Sequence, residues 1–248
     1  MRLLFAEAIM PPHWNPAQDA QLTPVAPQLW LARMPISVLG FRMSACMTVA
    51  QLPDGGLWLH SPIALSAALA AQLDALGPVR HIVAPNRFHY LFAADCAARY
   101  PHATLYLAPG LAEKVPALAG HPLIPADAQA PWADALASCL VAGNPELNET
   151  VFFHRASGSL IFADLAVWLG PWDGWLTRVY ARLNGCYQRL GLSFVLRRFF
   201  RDRPAARASL AQVLDWDIQR LIPAHGPVLE HQAKAALAAA FAWLRAPD

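Results

Sequence analysis

Charge is scarce in this chain of 248 residues, where Asp, Glu, Lys and Arg make up 15% against 56% hydrophobic residues. The length suffices to bury a large core, and the expectation is one compact α/β domain over 1–248. Despite the apolar excess, no uninterrupted apolar run of about 18 residues occurs, which excludes an ordinary membrane-spanning helix. Cysteines are few, and Cys46, Cys96, Cys139 and Cys186 show no C-x-x-C spacing, so neither a zinc knuckle nor a disulfide framework is indicated. The opening stretch MRLLFAEAIMPPHWNP lacks the basic start and small-residue cleavage site of a secretory leader. A reduced, cytoplasmic protein is therefore expected. No internal repeat of fixed period is visible.

What is present is a succession of short apolar strands and helices. Strands are predicted over 29–36 and 43–52, with a Pro53-Asp54-Gly55-Gly56 turn leading to a third strand at 57–62. A helix over 64–76 ends at Gly77-Pro78, and a strand at 81–84, β-branched at its centre, stops at Pro85. A helix at 91–99, a strand at 103–107 and a Pro/Ala-rich connection over 110–137 follow. The second half reads as strands at 139–142, 150–154 and 159–163, helices within 166–207 and at 208–217, a strand at 219–222 and a last helix at 231–244. The βαβα order argues for helices packed over a sheet, and the two hairpin-rich halves suggest a duplicated αββα arrangement.

Polar residues gather where the strands end. Asn86, Arg87 and His89 follow one strand, Asp164 ends another, and His225 sits in the rigid loop Pro223-Ala224-His225-Gly226-Pro227. Loops at the carboxyl ends of α/β strands collect binding groups because the sheet positions them and leaves them uncovered. A buried Asp164 needs a cation, a metal or several donors, and Arg87 is the expected cation. His60 follows an apolar strand, where it would tie the hairpin to the 86–89 loop. A Ser61, His225 and Asp164 triad is conceivable, but no G-x-S-x-G elbow surrounds Ser61. His81 and His154 fall within strands and are read as structural.

The segments SLIFADL and LIPAHGPV resemble the acid strand and last histidine loop of the metallo-β-lactamase fold superfamily. More narrowly, LPDGGLWLHSPI, APNRFHYLF and FFHRASGSLIFADL are similar to the uncharacterised 4336 domain-of-unknown-function family of bacterial and plant-type proteins on that fold. The resemblance spans about 29–244 and implies an αββα sandwich carrying an aromatic and arginine-rich helical insert at 166–207. Two superfamily motifs are rewritten. H-x-H-x-D-H reads Asn86-Arg87-Phe88-His89-Tyr90-Leu91, and the G-H-T loop reads GNPELNE, with Glu146 nearest the missing ligand and Glu149 next. The resemblance leaves a residual one-metal site of His89, Asp164 and His225, with Asp164 and His225 also serving catalysis. It would hold one zinc or iron ion, or none. Asn86, Arg87, His60 and Glu146 are the substrate-side candidates. Two functions follow: a hydrolase of a small ester, lactone or thioester, or a metal-free protein that binds a small ligand on the same scaffold.

The insert holds Trp168, Trp172 and Trp175, and eight arginines lie between Arg178 and Arg207 against the single acid Asp202. Such a segment can pack its apolar side on the core with its arginines solvated, cover a pocket, or lie on a membrane surface. Nucleic acid is not expected as a partner, since the net charge is only +2 and the basic residues are confined to one segment.

Overall fold

The structure, a computed structural model, describes residues 20–245; the opening stretch with His13, and residues 246–248, lie outside them. Six strands, β1 (Thr23–Ala26), β2 (Leu29–Val38), β3 (Phe41–Gln51), β4 (Leu57–His60), β5 (Val79–Ala84) and β6 (Thr104–Leu107), lie side by side in sequence order. The first four pair antiparallel; β5 and β6 continue parallel to β4. The second sheet, in the order β10-β9-β8-β7, holds β7 (Leu136–Leu140), β8 (Thr150–His154), β9 (Ser159–Phe162) and β10 (Arg220–Pro223). There β10 runs parallel to β9, and the other pairs are antiparallel.

Period-2 alternation decides which side chains meet between the sheets. On β4, Leu57 and Leu59 face outward while Trp58 joins Val83, Trp132, Phe152, Ile161 and Ile222 in the inner layer. On β9, Ile161 faces inward and Leu160 and Phe162 outward. Both strands are buried on both faces, which is why they read as unbroken apolar runs. The outer side of the first sheet is covered by α1 (Ala67–Leu76), through Leu69 and Leu73, and by α2 (Ala93–Arg99), through Ala93 and Cys96. The outer side of the second carries α6 (Arg203–Asp215), through Ala206, Leu210 and Val213, and α7 (Ala233–Ala240), through Ala233 and Leu237. The other α-helices among the described residues are α3 (Leu111–Lys114), α4 (Trp175–Asn184) and α5 (Phe194–Arg197). This is the expected αββα sandwich.

Local chemistry sets the boundaries. Ser66 caps α1 by accepting from the Leu69 N–H, so the helix starts at 67 rather than 64. Asp202 caps α6 in the same way, with Pro204 in the first turn, so the helix expected at 208 begins at 203. The last residues of the supposed insert therefore belong to a core helix. Two strands depart from expectation: β1 has no counterpart among the predicted strands, and the strand expected at 139–142 runs over Leu136–Leu140.

Candidate metal centre

Four loops leave the carboxyl ends of β4, β5, β9 and β10 along one edge of the sandwich and carry Ser61, the 86–89 loop, Asp164 and His225. Glu149 arrives at the same edge from the start of the antiparallel β8. Main-chain bonds stitch the two sheets there: Thr150 N–H donates to Pro85 O at 2.9 Å and Arg87 N–H to Leu147 O at 3.0 Å.

The Nδ1 of His225 lies 2.6 Å from the Ser44 carbonyl on β3. Only a protonated Nδ1 can bond a carbonyl, so Nε2 is the free face of this ring; it lies 3.1 Å from His89 Nε2 and 3.5 Å from Asp164 Oδ1. His89 is held likewise by its Nδ1, 2.5 Å from Ser61 Oγ, with Nε2 3.3 Å from Asp164 Oδ2. One ligand atom from each of His89, Asp164 and His225 lies within 4.8 Å of the other two. Two imidazoles held through Nδ1, with Nε2 turned towards a carboxylate, are a donor set that could hold a metal ion; the Ser44 carbonyl fixes the His225 tautomer that leaves Nε2 available, whereas the Ser61 hydroxyl can either donate to His89 Nδ1 or accept from it.

Beneath this trio lies a buried amide–carboxylate layer. Asn86, 0% exposed, donates from Nδ2 to Glu149 Oε2 at 2.9 Å and to Asp164 Oδ2 at 3.0 Å, while its Oδ1 accepts from the Phe88 and His89 N–H groups, both at 2.8 Å. Glu149 accepts from the Ala163 N–H at 2.6 Å and the Asp164 N–H at 2.8 Å. The environment drives the two carboxyls apart. Burial pushes Asp164 up, but the His89 and His225 imidazoles hold it well below its ordinary value. Burial, then the neighbouring Asp164, lifts Glu149 to about 8 against the pull of its N–H donors. Burial depresses His225, yet the Asp164 carboxylate and the Ser44 carbonyl outweigh it and raise the ring's affinity for protons.

The backbone is constrained at two of these points. Ser61 has φ 55° immediately before Pro62, a left-handed conformation that a serine adopts only where its surroundings impose it. Gly226 has φ 128°, and a Cβ there would lie 2.5 Å from the Trp168 carbonyl, so the His225 loop can lie against residue 168 only with glycine next to the histidine.

Three expectations need correction. Arg87 does not pair with Asp164: its Nη1 donates to Pro145 O at 2.8 Å and lies 3.6 Å from Glu146. Asp164 is served instead by two imidazoles and an amide. Glu146 is not at the site; it bridges Arg87 and Arg201, the latter at 2.8 Å, and Glu149 takes the inner position. Ser61 bonds His89 rather than His225. His60 lies below the site, 1% exposed, stacked on Trp58 and edge-on to Phe152, with Nε2 unpartnered among the described residues. Burial, and then repulsion from His89, lowers it to about 3, so it is neutral. A register argument could have found Glu149. Phe152 pairs with Ile161 in the β8–β9 hairpin, and counting outward sets residue 149 opposite Asp164. The Ser44 carbonyl has no such signal, since any residue supplies one.

A cavity of about 440 Å³ lies between the end of β2, the start of β3 and residues 172–174, lined by Pro35, Ile36, Arg42, Met43, Trp172 and Asp173, among others, and by none of the trio. Its Arg42–Met43 wall runs directly into Ser44, which holds His225. Asp173 is buried there, accepts from the Gly170 N–H at 2.7 Å, and is raised to about 6 by burial. The volume is that of a small-molecule site.

A family model described as "Domain of unknown function (DUF4336)" matches residues 27–173. No curated protein matches the chain. Among solved structures, a metallo-beta-lactamase from Pontibacter korlensis shares 11% identity at a TM-score of 0.59, covering 92% of this chain and 100% of that one. The metallo-beta-lactamase FIM-1 from Pseudomonas aeruginosa, in its mono-zinc form, shares 13% identity at 0.60, covering 94% and 99%. The metal-soaked Flv1 flavodiiron core from Synechocystis sp. PCC6803 shares 15% identity at 0.62, covering 93% of this chain and 62% of that one. At these identities the likeness concerns the fold.

Proposed function

The chain belongs to the DUF4336 family, a divergent branch of the metallo-β-lactamase fold, and from that premise we propose that it is a one-metal hydrolase of a small ester, lactone or thioester. The observation that carries this reading is the orientation of the two imidazoles: both are tied by Nδ1, and both turn Nε2 towards Asp164. His89, Asp164 and His225 would hold one zinc or iron ion. A bound ion supplies a Lewis acid that polarises the scissile carbonyl and acidifies water at the site. The chain's own residues then have separate tasks. Ser61 and the Ser44 carbonyl keep the rings in register, Asn86 fixes the His89 loop against Asp164, and Glu149 holds the Asp164 backbone. The cavity lined by Ile36, Met43 and Trp172 receives the apolar part of the substrate. With Asn86 rather than a histidine, and Glu149 committed to main-chain N–H groups, the donor set provides for one ion and not two.

The test is a panel of chromogenic esters, lactones and acyl thioesters, with wild type, Asp164→Asn and His225→Ala compared before and after chelation. Turnover that disappears with chelator and with either substitution, and returns on adding zinc or iron, is expected. Turnover that survives chelation would refute the metal-dependent reading. A second reading rests on the closed chain of contacts from Ser61 through His89, Asp164 and His225 to the Ser44 carbonyl, in which each group already has a protein partner. On this reading the scaffold is a metal-free binder of a small ligand, and saturable, chelator-insensitive binding without turnover would favour it.

A further inference from the structure

Helix α4 is ten residues long and buries only one side, through Thr177 and Ala181, with Tyr180 edge-on to Phe41 at 5.3 Å between ring centroids. On the opposite side Trp175, Val179 and Leu183 recur every four residues and form one apolar stripe that none of the described residues covers; Trp175 is 69% and Leu183 72% exposed. Arg178 and Arg182 run along the flank of that stripe at the same spacing.

Two neighbouring elements extend the surface. At the tip of the β2–β3 hairpin, Leu39 is 91% exposed and Val38 is exposed beside it; a Cβ on the adjoining Gly40 would touch Leu176 of α4 at 3.6 Å. At the other end of α4, the Phe194 ring lies against Gly185, and Phe194 and Val195 of α5 are exposed. Arg189 and Arg198 are exposed alongside. Among the described residues, Arg178, Arg182, Arg189 and Arg198 form no ion pair. Asp202, the one acid between 178 and 207, is used as the cap of α6.

We propose that this surface, made of the β2–β3 hairpin tip, α4 and α5, docks on an anionic lipid membrane. The choice of occupant follows from charge and shape. Tryptophan, phenylalanine and leucine beside arginines that form no ion pair among the described residues, although Arg182 lies on the Tyr187 ring and Arg189 donates to the Gly185 carbonyl, suit the boundary between acyl chains and acidic headgroups, where the apolar stripe enters and the guanidiniums stay at phosphate level. A second copy of the chain would set these arginines against their own equivalents with no acid between them. No helix of the described residues is long and apolar enough to cross a membrane, so the attachment is peripheral. It also orients the molecule, because the cavity lined by Arg42 and Met43 opens between the hairpin and the start of α4, where the Gly174 N–H donates to the Arg42 carbonyl.

Sedimentation of the full chain with vesicles tests this. Wild type should sediment with phosphatidylcholine vesicles containing phosphatidylglycerol, bind pure phosphatidylcholine far more weakly, and be released by salt. Replacing Arg178, Arg182 and Arg198 with Gln should weaken binding to the anionic vesicles about a hundredfold. Replacing Leu39, Trp175 and Leu183 with Ser should weaken it about tenfold or more. Arg178 is half-buried and the other five side chains are exposed, with none in the core, so both triple variants should stay folded by circular dichroism, with melting temperatures within a few degrees of wild type. Failure of wild type to sediment with the anionic vesicles would overturn the proposal, as would binding that neither variant changes. A dimer in light scattering that the serine variant dissociates, without vesicle binding, would overturn it in favour of self-association.

Discussion

Replacing Glu149 with Leu removes the acceptor for three donors at once: the Ala163 N–H, the Asp164 N–H and the Asn86 amide. Glu149 is buried, so water cannot take its place. At about 2 kcal/mol per stranded donor the gross cost is about 6 kcal/mol. Part of this is returned, because leucine also removes a carboxyl that burial and Asp164 lift from 4.5 to about 8. At pH 7 that return is about 3 kcal/mol, which leaves a net loss of about 3 kcal/mol. The sign of the pH dependence follows. A carboxyl whose pKa is raised on folding stabilises the native state fully below its unfolded value, and that contribution is lost as pH climbs from 4.5 towards 8. The leucine penalty should therefore be largest below pH 4.5 and shrink by about 1.4 kcal/mol per pH unit above it. Urea unfolding of metal-free wild type and Glu149→Leu at several pH values measures it. A penalty under about 1 kcal/mol at the acid end, or one that grows with pH, would refute the keystone role given to Glu149.

Three further predictions concern its neighbours. His60, lowered from 6.5 to about 3, is neutral in the fold and protonates first in the unfolded chain, so its contribution is complete above pH 6.5 and is lost as pH falls towards 3. His60→Leu should be less acid-sensitive than wild type by up to about 1.4 kcal/mol per pH unit in that window, and parallel urea curves would contradict this. Ser61→Ala removes the partner of His89 Nδ1, and zinc affinity in chelator competition should drop about 10- to 100-fold; an unchanged affinity would deny Ser61 a positioning role. Gly226→Ala forces a Cβ against the Trp168 carbonyl at a φ that alanine avoids, and should cost about 2 kcal/mol or more in thermal unfolding, whereas an unshifted melt would show that the loop yields.

The layers of the sandwich were legible because its central strands are apolar on both faces and its helices end at strong signals, such as Gly77-Pro78 after α1. The three residues that converge at the edge were legible for a related reason, since each follows a recognisable strand. What escaped was side-chain direction. From sequence, Arg87 is one of the charges nearest a buried Asp164, but its backbone is bonded to Leu147, which sends the guanidinium towards Pro145 and Glu146. Glu146 and Glu149 are alike in composition and differ in register, and register is fixed by the β8–β9 pairing rather than by residue type. Helix α6 begins earlier than the sequence suggests because the chain from 166 reads as one aromatic and arginine-rich block, although its last residues already present Ala206 to the core.

The central claim is that His89, Asp164 and His225 form a one-ion site. Elemental analysis of tag-free protein after incubation with zinc, iron or cobalt and exhaustive dialysis tests it most directly, with the visible spectrum of the cobalt form as a check on the ligands. Wild type should hold about one tightly bound ion per chain and give a cobalt spectrum that reports nitrogen and oxygen ligation, and both should be lost in Asp164→Ala and His225→Ala. Less than about a tenth of an equivalent in wild type, or an equivalent that survives both substitutions, would contradict it.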